Sequence, residues 1–151
     1  MKRLMLFAVV IGACGPRENA ATDSAGMTAA TAPAALTPAD IAGTWNGVTM
    51  METGDSVLAR WTVINPTGTE GKGVFEGSTD TLTLSHTFDA DSFVATTTPY
   101  RDPNLPGRPQ VTTRAVGRLV AGKLLGTSTT MLVSKPDSVV MRNRWEATKA
   151  Q

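Results

Sequence analysis

The 151-residue sequence has one cysteine, Cys14, and one histidine, His86. That excludes a disulfide framework and any zinc site built from several Cys and His ligands. Neither sign of charge is in excess: 14 Lys and Arg stand against 13 Asp and Glu, so no basic field points to nucleic acid. The sequence also has no Gly-x-Ser-x-Gly elbow that would single out a serine nucleophile. Gly71-Lys72-Gly73 lacks the Walker spacing of a phosphate loop. Asp89 and Asp91 flank Ala90, but two carboxylates fall short of the roughly six to eight oxygens that calcium takes. No catalytic constellation, metal site or cofactor site emerges, so the expectation is a protein that is not an enzyme. Hydrophobic residues make up 41% and charged residues 18% of the chain, which excludes a polytopic membrane protein and a wholly disordered chain. The length suits one domain.

What is present begins with an address. Met1-Lys2-Arg3 is a short basic segment, and an apolar run from Leu4 to Ile11 follows it. The run is far shorter than the roughly 20 apolar residues of a spanning helix, and the order of segments is that of a secretory signal. Ile11-Gly12-Ala13-Cys14 resembles the lipobox of bacterial lipoproteins. The resemblance implies removal of residues 1–13, lipidation (palmitate) at Cys14 and attachment to a membrane through that anchor. Gly15, where an Asp would imply inner-membrane retention, implies the outer membrane, facing the periplasm.

Residues 14–39 are dominated by Ala and Thr, with Pro33 and Pro38 and few large apolar side chains. Such a segment cannot bury enough surface to offset its ordering entropy, so it reads as a flexible, disordered tether. From 40 to 149 the texture changes to alternating runs broken by turn residues. Strands are expected at 43–51, 57–64, 73–76, 81–87, 92–98, 111–120, 123–132 and 138–147. Val57, Ala59, Trp61 and Val63 share one face, as do Val111, Ala115 and Leu119, and Val139, Met141 and Trp145. Leu82, Leu84 and His86 form another apolar-leaning face, with His86 read as a structural residue. Ala115, Gly117, Thr127 and Thr129 are read as inward. One face inward and one face wet is the antiparallel pattern. The fold class is all-β: a small antiparallel meander of about eight strands forming a closed or nearly closed β-barrel. Ala121-Gly122 reads as a tight hairpin, and Lys135-Pro136-Asp137 as another turn. The one long connection, 99–110, holds four prolines and is stiff; it reads either as a functional loop or as a strap over a barrel end.

Gly43-Thr44-Trp45 resembles the Gly-x-Trp motif that opens lipocalin-like barrels. There the Trp closes one barrel end under an Arg from the last strand. The resemblance implies that role for Trp45, with Arg142 or Arg144 as its partner. It also implies a small apolar ligand inside the barrel.

Charge is segregated along the chain. From 40 to 100 two cations face eight acids, a net of −6, and from 101 to 151 nine cations face three acids, a net of +6. Arg114, Arg118, Arg142 and Arg144 fall on outward positions of neighbouring strands and form a candidate anion patch. Two functions therefore stand open. One is an outer-membrane lipoprotein whose lipocalin-like barrel binds a small apolar ligand. The other is an envelope structural or interaction module with a filled core. Its basic C-terminal strands would bind an anionic lipid, a glycan or an acidic protein partner.

Overall fold

Alternation along each strand decides which side chains meet. A computed structural model describes residues 35–151, and all structural statements concern these. A four-residue helix, α1 (Pro38–Ile41), precedes nine strands: β1 (Gly43–Met51), β2 (Val57–Asn65), β3 (Glu70–Phe75), β4 (Thr81–Asp89), β5 (Ser92–Thr97), β6 (Tyr100–Arg101), β7 (Gln110–Val120), β8 (Lys123–Leu132) and β9 (Lys135–Lys149). Sequence neighbours from β1 to β5 pair antiparallel, β5 pairs with β7, and β7, β8 and β9 follow in order. β9 then pairs with β1, from Trp45 opposite Lys149 to Met51 opposite Asn143. The result is a closed eight-stranded antiparallel barrel with the two-residue β6 added beside β7. Closure leaves these eight strands without a continuous open edge.

Because the meander goes up and down, the starts of β1, β3, β5 and β8 share one end, here called the floor. The floor is plugged by the segment entering β1. Ile41 is 1% exposed, and its carbonyl accepts from Trp45 Nε1 at 2.8 Å and from Asn65 Nδ2 at 3.2 Å. The Leu36 amide donates to the Ala90 carbonyl in the β4–β5 turn. Thr37 gives both its backbone N–H and its hydroxyl to the Asp40 carboxylate, bonds that hold this carboxyl below its ordinary pKa. Gly68, in the β2–β3 turn with φ +81, packs against the Pro38 backbone where a Cβ would not fit. Leu36 to Ala39, expected in the tether, therefore pack with the folded domain. Cys14 and the rest of the expected tether lie outside the described residues.

Two other expectations change. Lys135-Pro136-Asp137 is not a turn but the start of β9; Val133 and Ser134 make the turn. Pro136 is tolerated there because β9 pairs with β1 only from Asn143 onward, so its first half has one free edge. On β8 the inward residues are Leu124, Ser128 and Thr130, which are buried, while Thr127 is exposed. The reading of Thr127 and Thr129 as inward was one residue out of phase, which moves every side chain to the other face. The hairpin at Ala121-Gly122 forms as expected, both residues having positive φ (48° and 77°).

Candidate functional site

The barrel interior is built from large side chains set opposite glycines. Gly47 on β1 lies directly across from Trp61 on β2, and a Cβ on Gly47 would overlap the Trp61 indole. Gly126 on β8 lies across from Trp145 on β9, and its missing Cβ would come 2.5 Å from Trp145 Cζ2. Gly117, next in that row, would meet Trp145 at 2.6 Å and Phe93 at 2.8 Å. These gaps admit a mid-barrel aromatic cluster. Trp61 meets Trp145 edge-on with centroids 6.1 Å apart, and Phe93 lies 6.1 Å from Trp145. Each indole N–H has a partner: Trp61 donates to Thr49 Oγ1 at 3.0 Å and Trp145 to the Thr127 carbonyl at 3.1 Å.

The cluster does not fill the barrel. A cavity of about 140 Å³ remains, bordered by Trp45, Val63, Leu82, Leu84, Phe93 and Leu124 among others. Its lining includes no Lys, Arg, Asp or Glu. Toward the other end, the mouth, the inner wall turns polar. Tyr100 OH and Thr113 Oγ1 are 2.9 Å apart, as are Thr113 Oγ1 and Thr130 Oγ1. The Thr113 amide donates to Thr97 Oγ1 at 2.9 Å. Burial, against the Thr113 hydrogen bond, pushes the Tyr100 hydroxyl up to about 12. Asp102 is 2% exposed and accepts from the Asn104 amide at 2.8 Å and from its side chain at 3.2 Å. These bonds pin the proline-rich connection as a strap at the mouth. Ser128 adds a hydroxyl to the cavity wall.

Two cavity-lining side chains keep polar atoms without partners. Asn65 Oδ1 and His86 Nδ1 are both buried and unbonded. His86 points inward on β4 as expected and packs edge-on to Phe93 at 5.8 Å. Burial lowers its pKa, against the opposing effect of the Thr69 backbone beside it. Asn65 was missed in the sequence because it ends a strand and looks like a turn residue. Its inward position, two residues beyond Val63, was the available signal.

Trp45 is buried at the floor, but the cation over its ring is Lys149, with Nζ 5.6 Å from the centroid. Arg142 and Arg144 are not its partners: register puts Lys149 opposite Trp45, and Arg144 opposite Met50 further up β1. Arg144 binds the Gly54 carbonyl and the Asp55 carboxylate, the latter at 3.1 Å. Arg118 lies 3.7 Å from Asp91. The four-arginine patch thus divides. Arg114 and Arg142 flank Thr129 in one cross-strand row, and among the described residues neither has a carboxylate within 4.0 Å. Compared with protein-family models, with curated proteins and with solved structures, the chain matches none.

Proposed function

We propose that this chain is an outer-membrane lipoprotein, anchored through Cys14, whose barrel binds a small apolar ligand without catalysing a reaction on it. The observation that carries the binding role is the uncharged cavity beside the Trp61–Trp145–Phe93 cluster. Concave, mainly apolar spaces with a few polar groups are what small-molecule sites look like. An unfilled space of this kind also costs stability unless something occupies it, because its lining atoms forgo dispersion contacts.

The test is native mass spectrometry of the full chain purified from the membranes of its own cells. A co-purifying mass should appear with the wild type and be lost or reduced with Ala115→Leu, which adds bulk to the cavity wall. A wild-type protein that carries nothing, and takes up no apolar compound afterwards, would end the reading. The anchor has its own test: labelled palmitate should enter the wild type and not Cys14→Ala.

A second reading rests on the Arg114–Thr129–Arg142 row, whose arginines lack acidic partners among the described residues. It assigns this outer face to an anionic lipid, glycan or acidic protein of the envelope. Planar guanidinium groups suit phosphate and carboxylate, and such binding weakens with salt. Arg114→Gln/Arg142→Gln should abolish salt-sensitive binding to anionic vesicles if this reading holds. Arg118→Gln/Arg144→Gln should change it less, since those two arginines are already engaged.

A further inference from the structure

The unpaired polar atoms of the cavity say what kind of ligand it takes. We infer that the ligand is a neutral apolar molecule bearing a hydroxyl group, held at the floor by Asn65 and His86. This rests on the reading of the cavity as a binding site.

Asn65 is 2% exposed, and its amide orientation is fixed because Nδ2 donates to the Ile41 carbonyl at 3.2 Å. The remaining oxygen, Oδ1, has no partner and can only accept. His86 Nδ1 is likewise buried and unbonded. Both side chains border the same cavity. On β3, between their strands, the inward residue is Gly71, which is paired with Leu84 and whose missing Cβ would lie 3.5 Å from Asn65 Cβ. No β3 side chain therefore stands between Asn65 and Leu84, the inward β4 residue two before His86. The other polar groups nearby are largely committed: Thr49 to the Trp61 indole, and Tyr100, Thr113 and Thr130 to one another.

A buried acceptor without a partner is costly, and a ligand that supplies the missing donor removes the cost. A hydroxyl donates to Asn65 Oδ1. Because it can also accept, it suits His86 whichever ring nitrogen carries the proton. A pure hydrocarbon leaves both atoms unpaired. A carboxylate or phosphate fares worse, since no cation lines the cavity and Asn65 would present an oxygen to its charge. The polar pair thus selects alcohols and phenols over hydrocarbons and over organic acids of the same size.

Phenol, benzene and benzoate are matched probes, because a cavity of about 150 Å³ accommodates a benzene ring. Calorimetric titration of the full chain should show phenol binding at least about tenfold more tightly than benzene, with benzoate undetectable. Asn65→Leu/His86→Leu should bring phenol and benzene within about threefold, mainly by gaining affinity for benzene. His86→Leu alone leaves the Asn65–Ile41 bond intact and should give an intermediate ratio, so the test survives if the double variant fails to fold. Equal binding of phenol and benzene by the wild type would overturn the hydroxyl assignment and leave the apolar cavity standing. A phenol preference that persists unchanged in the variants would overturn the roles of Asn65 and His86. Failure of all three probes to bind would count against the cavity as a site, and the hydroxyl assignment would fall with it.

Discussion

At the floor of the barrel the inward positions carry large apolar side chains, Ile41, Trp45, Phe88, Leu119 and Leu124, whereas near the mouth they carry Thr97, Thr113, Thr130 and Asn143. The floor is also bound to distant parts of the chain: α1 to Trp45 and Asn65, Leu36 to the β4–β5 turn. The mouth relies on short hydroxyl contacts, and apolar side chains at that end, including Met51, Val57 and Val139, stand exposed. One strand pattern therefore serves two forces. Burial at the floor is non-directional and strong per side chain, while each hydroxyl contact at the mouth contributes a net ~0.5–1.5 kcal/mol. The floor should hold most of the stability and the mouth should be the end that yields to solvent chemistry.

The sharpest way to break that contrast is Trp45→Ala. Truncating a buried Trp costs ~3–5 kcal/mol, and here it also removes a bond to the Ile41 carbonyl. Urea denaturation should show most of the domain's stability gone, while Trp45→Phe retains much of it. A stable Trp45→Ala protein would mean that the floor is not the anchor.

Truncation asks where the floor begins. A chain starting at Ala35 should keep the denaturation midpoint of the full protein. One starting at Gly43 loses Leu36 and the buried Ile41 and should be destabilised by ~2–5 kcal/mol. Equal midpoints for the two would place the plug outside the cooperative fold.

Between floor and mouth, Gly126→Ala tests the glycine-for-indole packing. The new methyl would collide with Trp145 and with the Val116 carbonyl, an overpacking that costs ~1–3 kcal/mol. Gly122→Ala is the control for lost glycine freedom: its φ is +77°, but nothing lies within 4 Å of its missing Cβ. A core clash predicts altered near-ultraviolet dichroism from the tryptophans in Gly126→Ala alone.

Much of this architecture is legible in the strand alternation, because apolar residues recur at every second position on the β2 face and along Leu82 and Leu84 of β4, and on one face of β7 and β9 with Thr113, Gly117 and Asn143 interposed. The β8 face was not, since Thr127, Ser128, Thr129 and Thr130 offer no hydropathy contrast to set the phase. Nor was the pairing of Gly126 with Trp145, which depends on register between strands rather than on either strand alone. Leu36 is a single large apolar residue amid Ala, Thr and Pro, too little to mark a domain boundary. The arginine patch looked continuous because Asp55 and Asp91 sit in turns, and only the closed barrel brings those turns beside Arg144 and Arg118. The candidate site was less legible still. His86 was placed on the inward face, but a cavity is a residue of packing from eight strands, and no local pattern encodes it.

The smallest expected effect separates the two ends by pH. His86, near the floor, has its pKa lowered from 6.5 by burial. Below about pH 6.5 the unfolded chain takes up a proton that the folded chain resists, so stability is present above that pH and falls as the pH drops toward the lower folded value. At the mouth the sign reverses. Tyr100 is raised from 10.0 to about 12, so the unfolded chain loses a proton from pH 10 upward while the folded chain holds it. Stability from Tyr100 is present below pH 10 and is lost between 10 and 12. Denaturation midpoints for wild type, His86→Leu and Tyr100→Phe across both ranges measure this directly. His86→Leu should flatten the part of the acid limb that begins at about pH 6.5 and leave the alkaline limb unchanged. Tyr100→Phe should flatten the limb above pH 10 and leave the acid one, while lowering neutral stability by ~1 kcal/mol for the lost Thr113 bond. Identical limbs in all three proteins would show that neither buried group is excluded from solvent as the packing requires.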